Sequence, residues 1–122
     1  MQNILLNRQN AIRQLAQRNY EKIYAHELAH KNAAGQYGGS IVIERNRQGV
    51  PVSGYVPIKM PVLDRKNPDA TINHADTVIR AALAPHDPSA QDIKVAKVAL
   101  NTKNLAQAVK KGHQGRRLDY MS

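Results

Sequence analysis

Between Asn7 and Ala34, apolar residues recur with a 3.6-residue period and no proline interrupts them. Ile12, Leu15, Ala16 and Ile23 fall on this period, which predicts one long amphipathic helix. Gly35 is the expected stop. The last turns of this helix spell His26-Glu27-Leu28-Ala29-His30, an HExxH string. Two histidines four residues apart share a helix face, with Cβ atoms about 5–6 Å apart, so both can reach one metal ion. Glu27 then stands beside that ion, where it can take a proton from an activated water. His26 and His30 are therefore the candidate metal ligands and Glu27 the candidate catalytic carboxylate. The plain alternative is a helix carrying two surface histidines.

The remaining composition narrows the chemistry. There is no cysteine, so disulfides and thiolate metal sites are excluded. A zinc ion, Zn2+, would have to use histidine, carboxylate, tyrosine or water. There is no Trp or Phe, and five Tyr supply every aromatic ring. A chain of 122 residues with such a light core suits a single domain over 1–122, to which bound metal could add folding free energy. No segment approaches the ~20 apolar residues of a membrane span, and the start of the chain is too short in apolar residues for a cleavable signal. The expectation is a cytoplasmic protein, or one exported without such a signal, with no membrane contact. The net charge of +9 makes nonspecific attraction to nucleic acid an expectation. The Lys and Arg residues are scattered, however, and no aromatic stacking platform accompanies them.

After the first helix, Gly35-Gln36-Tyr37-Gly38-Gly39 reads as a turn leading to the β-branched run Ile41-Val42-Ile43. Arg47-Gln48-Gly49 marks a second turn, and Val50 to Met60 reads as a return strand with Gly54 as a bulge. Pro51, Pro57 and Pro61 make it an edge or irregular strand. Asn67-Pro68 caps and starts a second helix that Pro85 ends. Asp87-Pro88 repeats the device for a third helix, which runs to about Lys111 with Gly112 beyond it. Residues 114–122 read as a flexible tail. A long helix, a β-hairpin and two C-terminal helices make an α+β fold.

Four strings in this order resemble the SprA-related family: Tyr24-Ala25-His26-Glu27-Leu28-Ala29-His30, Gly35-Gln36-Tyr37-Gly38-Gly39, Ala81-Ala82-Leu83-Ala84-Pro85 and Pro88-Ser89-Ala90-Gln91-Asp92. The resemblance covers Tyr24 to Lys97. Members are bacterial proteins described as metalloprotease catalytic domains. The resemblance implies a small zincin-like domain with zinc on His26 and His30 and Glu27 as the catalytic carboxylate. By analogy, the edge of the hairpin would bind extended peptide. Relatives carry Gly-Glu-Val on the return strand, where this chain reads Gly54-Tyr55-Val56.

Catalytic zinc takes three protein ligands and an open position. The extended HExxHxxGxxH pattern is absent, because Ala33 stands where its glycine would be. The third ligand stays open among Tyr55, which the family resemblance favours, and His74, Glu44, Asp76, Asp64 and His86. Tyr24 and Tyr37 bracket the motif and could donate to a developing oxyanion. His113 reads as a surface residue. The leading expectation is hydrolysis of a peptide or protein substrate by metal-activated water with Glu27 as general base. Two alternatives are a catalytically inactive structural or interaction protein of the same fold, and a basic nucleic-acid-associated protein from a phage or mobile element. Oligomeric state is not legible.

Overall fold

The computed structural model describes residues 2–121, with side chains described for residues 3–114. The periodic stretch forms helix α1, Gln2–Ala34, which starts before the expected Asn7. Gly35 ends it with φ +54°, a left-handed conformation that costs glycine little. A 3₁₀ turn follows over Gly35–Tyr37.

Strands β1 (Val42–Arg45) and β2 (Pro51–Tyr55) form an antiparallel hairpin. Asn46 builds its turn: Oδ1 accepts from Gln48 N at 2.9 Å and Val50 N at 3.0 Å, and Gly49 supplies φ +80°. The bulge lies elsewhere than expected. Arg45 pairs with Pro51 and Glu44 with Ser53, so Val52 is the extra residue and Gly54 pairs regularly with Ile43. The expected strand to Met60 also stops early, at Tyr55. Prolines at 57 and 61 cannot donate to a ladder. Instead Gly39 N donates to Pro57 O at 2.8 Å and Lys59 N to Tyr37 O at 2.9 Å, tying the post-helix turn to this irregular segment.

Helix α2 spans Pro68–Ala82, with the Asn67 side chain accepting from Ala70 N and Pro68 in its first turn, as expected. Helix α3 spans Ala90–Met121. Its cap is Ser89 rather than Asp87, and the helix passes through Gly112 without stopping. A helical glycine costs only about 1 kcal/mol relative to alanine. Of the expected tail, residues 114–121 are helical and Ser122 lies outside the described residues.

Helix α2 is central and packs on both α1 and α3. Ala75, Val78 and Ala81 of α2 are fully buried, as are Ala99 and Ala106 of α3. Small side chains at these positions let helix axes approach closely. Two ion pairs, Lys103–Asp76 at 2.7 Å and Lys110–Asp69 at 2.8 Å, also join α2 and α3. Both are partly solvated, so each contributes at most about 1 kcal/mol. The hairpin lies on α1 mainly through β2, where Asn19 Nδ2 donates to the Pro51 carbonyl at 2.9 Å, and β1 adds the Arg45 guanidinium, 5.8 Å over the Tyr20 ring. The fold is small and α+β. Among the described residues, no helix is long and apolar enough to cross a membrane.

Candidate metal centre

The last turns of α1 face inward, where β2, the end of α2 and the start of α3 converge. Glu27 and His30 are buried, whereas the His26 side chain keeps 30% of its surface exposed. The two imidazoles meet edge to face, with centroids 4.9 Å apart and Nε2 atoms 3.2 Å apart. His30 Nδ1 lies 2.7 Å from the Ala81 carbonyl oxygen. A carbonyl only accepts, so Nδ1 is the donor, and in a neutral ring Nε2 is left with its lone pair. This is how a protein orients an imidazole toward a metal. The donor atoms of His26, Glu27 and His30 all lie within 4.8 Å of one another, and this group could hold a metal ion.

Glu27 Oε1 is 4.0 Å from His26 Nε2, near enough to share a water with an ion held there. Burial pushes its carboxyl above the usual glutamate range and Asp92 adds to the rise, against the pull of His30 and His26. Gly54 makes room for this arrangement. A Cβ at position 54 would lie 2.6 Å from Ile23 Cγ2 and 3.2 Å from Glu27 Cγ, so the missing atom lets β2 pack this closely on α1.

Asp92, 66 residues from His26, joins the cluster without any motif that marks it in the sequence as a partner of the histidines. Its Oδ2 lies 3.2 Å from His26 Nε2 and 3.1 Å from His30 Nε2. A reciprocal capping box sets it in place: Ser89 N donates to Asp92 Oδ2 at 2.9 Å, and Asp92 N donates to Ser89 Oγ at 3.1 Å. Burial alone would raise the Asp92 carboxyl. The Ser89 backbone N–H, the charge of His30, the Ser89 hydroxyl and His26 together outweigh it and hold the carboxyl below the usual aspartate range. The one local signal was the Ser-x-x-Asp spacing, which announces a helix start and says nothing of a partner.

These groups line a cleft of about 590 Å³, within the usual range of ligand-binding pockets. Residues 53–56, Ile58 and Met60 form one wall, and Ser89, Gln91, Asp92 and Val95 contribute from the α3 side.

A family model matches residues 1–117. The chain belongs to the SprA-related family. The match is wider than the stretch from Tyr24 to Lys97 that carries the motifs, and it contains every residue of the cluster. No curated protein and no solved structure matches the chain.

Other residues singled out in this SprA-related sequence lie in varied places. Tyr55 lines the cleft but is 49% exposed. His74 Nε2 bonds the Lys59 carbonyl at 2.7 Å, and its ring stacks on Tyr37 at 3.7 Å between centroids. Glu44 is exposed on β1. Asp76 pairs with Lys103. Asp64 caps its own loop, accepting from Lys66 N and Asn67 N. His86 is exposed. Tyr24 stacks on Tyr20. Neither Tyr24 nor Tyr37 is among the residues lining the cleft.

Proposed function

We propose that this SprA-related protein is a zinc-dependent peptidase of zincin-like build. The observation that carries the reading is the pair of imidazole Nε2 atoms 3.2 Å apart on one helix face, with the Glu27 carboxylate beside them in the lining of a cleft. The donor set is nitrogen and oxygen without thiolate, as catalytic zinc sites commonly have. His26 and His30 would hold the zinc, which would supply the charge that acidifies water and polarises a carbonyl.

The chain's own residues supply the rest. Ala81 holds His30 in the tautomer that leaves Nε2 free. Glu27 accepts the proton of the attacking water and returns it to the leaving amine. Its place away from bulk water favours the protonated form it needs for that second step. Among the described residues β2 has a strand partner on one side alone, and Ser53, Gly54 and Tyr55 line the cleft. An extended peptide can pair with an unpartnered edge of this kind, and such a peptide would run along the cleft that Glu27 lines.

The test is digestion of an unfolded protein or a peptide mixture by the purified chain, with zinc, with a chelator, and with His26→Ala. The expected result is cleavage that needs zinc and His26. Zinc binding without cleavage would instead favour the inactive form of the same fold, for which the tyrosine at position 55 in place of the family's glutamate is the motive.

A further inference from the structure

The geometry points to Asp92 as the third ligand of the metal, delivered to the histidines by the Ser89 capping box at the start of α3. The inference rests on the metal-binding part of the reading above and goes beyond it by closing the question of the third ligand. Asp92 Oδ2, His26 Nε2 and His30 Nε2 form a nearly equilateral triangle, with sides of 3.2, 3.1 and 3.2 Å. Ligand atoms of a tetrahedral zinc at bond lengths of 2.0–2.2 Å are separated by about 3.3 Å. The three donors therefore already stand at the spacing one ion requires.

Hydrogen bonding fits the same triangle poorly. His30 gives its Nδ1 proton to Ala81, so a neutral His30 turns a lone pair toward a carboxylate oxygen. Satisfying both contacts to Asp92 with protons requires an imidazolium and puts two N–H groups 3.2 Å apart on one oxygen. One divalent cation replaces both protons and answers all three lone pairs. Oδ2 has capacity for this, since it can accept from Ser89 N and still offer a second lone pair.

The competing candidates are committed elsewhere. His74 Nε2 is bonded to Lys59 O, Glu44 is exposed on β1, and Tyr55 is half exposed. The topology adds a consequence. Helix α3 packs along α2 and makes little contact with α1, so an ion shared by His26, His30 and Asp92 fastens the first turn of α3 onto α1.

The experiment is zinc titration against a chromophoric chelator, together with the visible spectrum of the cobalt-loaded protein. It compares wild type, Asp92→Asn, Asp92→Ala, Tyr55→Phe, His74→Ala, Ser89→Ala and Ser89→Thr. Asp92→Asn keeps an oxygen that can accept from Ser89 N, so α3 stays capped while the anionic ligand is lost. The expected result is a loss of zinc affinity of at least ~10-fold for Asp92→Asn and ~100-fold for Asp92→Ala, each with a changed cobalt spectrum. Tyr55→Phe and His74→Ala stay within about 3-fold of wild type, the ordinary scatter of such changes. Ser89→Ala keeps the backbone N–H that holds Asp92 Oδ2 and removes the hydroxyl that caps Asp92 N, so it weakens binding less than Asp92→Asn does, and Ser89→Thr restores it. Wild-type affinity and spectrum in both Asp92 variants would overturn the inference and leave the peptidase reading standing. Asp92-dependent zinc binding without any cleavage would do the reverse. A wild type that binds no zinc would overturn both.

Discussion

Gly54 lies directly against Glu27, close enough that a Cβ on the glycine would stand 3.2 Å from Glu27 Cγ. The same atom would stand 2.6 Å from Ile23 Cγ2 and 3.0 Å from the Val42 carbonyl oxygen. The Ile23 methyl can rotate away, but the backbone oxygen cannot. Gly54→Ala is expected to destabilise the fold by about 1–3 kcal/mol, the usual cost of overpacking. Chemical denaturation measures this. A stability equal to wild type would mean that β2 is free to lift off α1.

Glu27→Gln separates proton transfer from metal binding. The amide keeps the shape of the side chain but cannot accept the water's proton. Zinc affinity is expected to stay within a few-fold of wild type, while peptide cleavage falls by about 10²–10⁴. Parallel zinc titration and kinetic assays check this. Full zinc-dependent cleavage by the variant would remove Glu27 from the role given to it.

The same substitution carries a pH signature in metal-free protein. The Glu27 carboxyl is raised in the fold, first by burial. Its contribution to stability is therefore fully present below its unfolded pKa and is lost as pH rises through its higher folded value. At neutral pH the ionised glutamate opposes folding. Glu27→Gln should then unfold at a higher temperature than wild type near pH 7, with the gap closing as the solution is acidified. Asp92 has the opposite sign: its lowered carboxyl supports the fold above its unfolded pKa and ceases to do so as pH falls through the folded one. Thermal melts across pH with chelator present test both. A Glu27→Gln gap that grows toward acid would contradict the assignment.

Zinc itself should stabilise the protein by mass action. At free zinc about 1,000-fold above the dissociation constant, the gain is about 4 kcal/mol. His30→Ala should lose this response, since His30 is a buried donor held by Ala81. Melting curves with and without zinc read it directly.

The parts of this fold visible in the sequence are those with a local cause. The 3.6-residue period and HExxH string placed His26, Glu27 and His30 on one helix face, and Asn67-Pro68 marked the start of α2. The start of α3 was misplaced because Asp87-Pro88 has the same composition, whereas Ser89 and Asp92 can satisfy each other's backbone N–H groups. Gly54 stood out as a glycine, but its cause is a helix about thirty residues away in sequence, so a bulge was the available local reading. Asp92 was hidden for the same reason. Its meeting with His26 spans 66 residues and depends on how α2 carries α3 across the chain, which no local pattern encodes.

The most direct test of the central claim is anomalous diffraction at the zinc edge from crystals grown with zinc. One strong peak is expected within about 2.0–2.2 Å of both His26 Nε2 and His30 Nε2, with the Glu27 carboxylate beside it. Ordered imidazoles with no peak between them would contradict it.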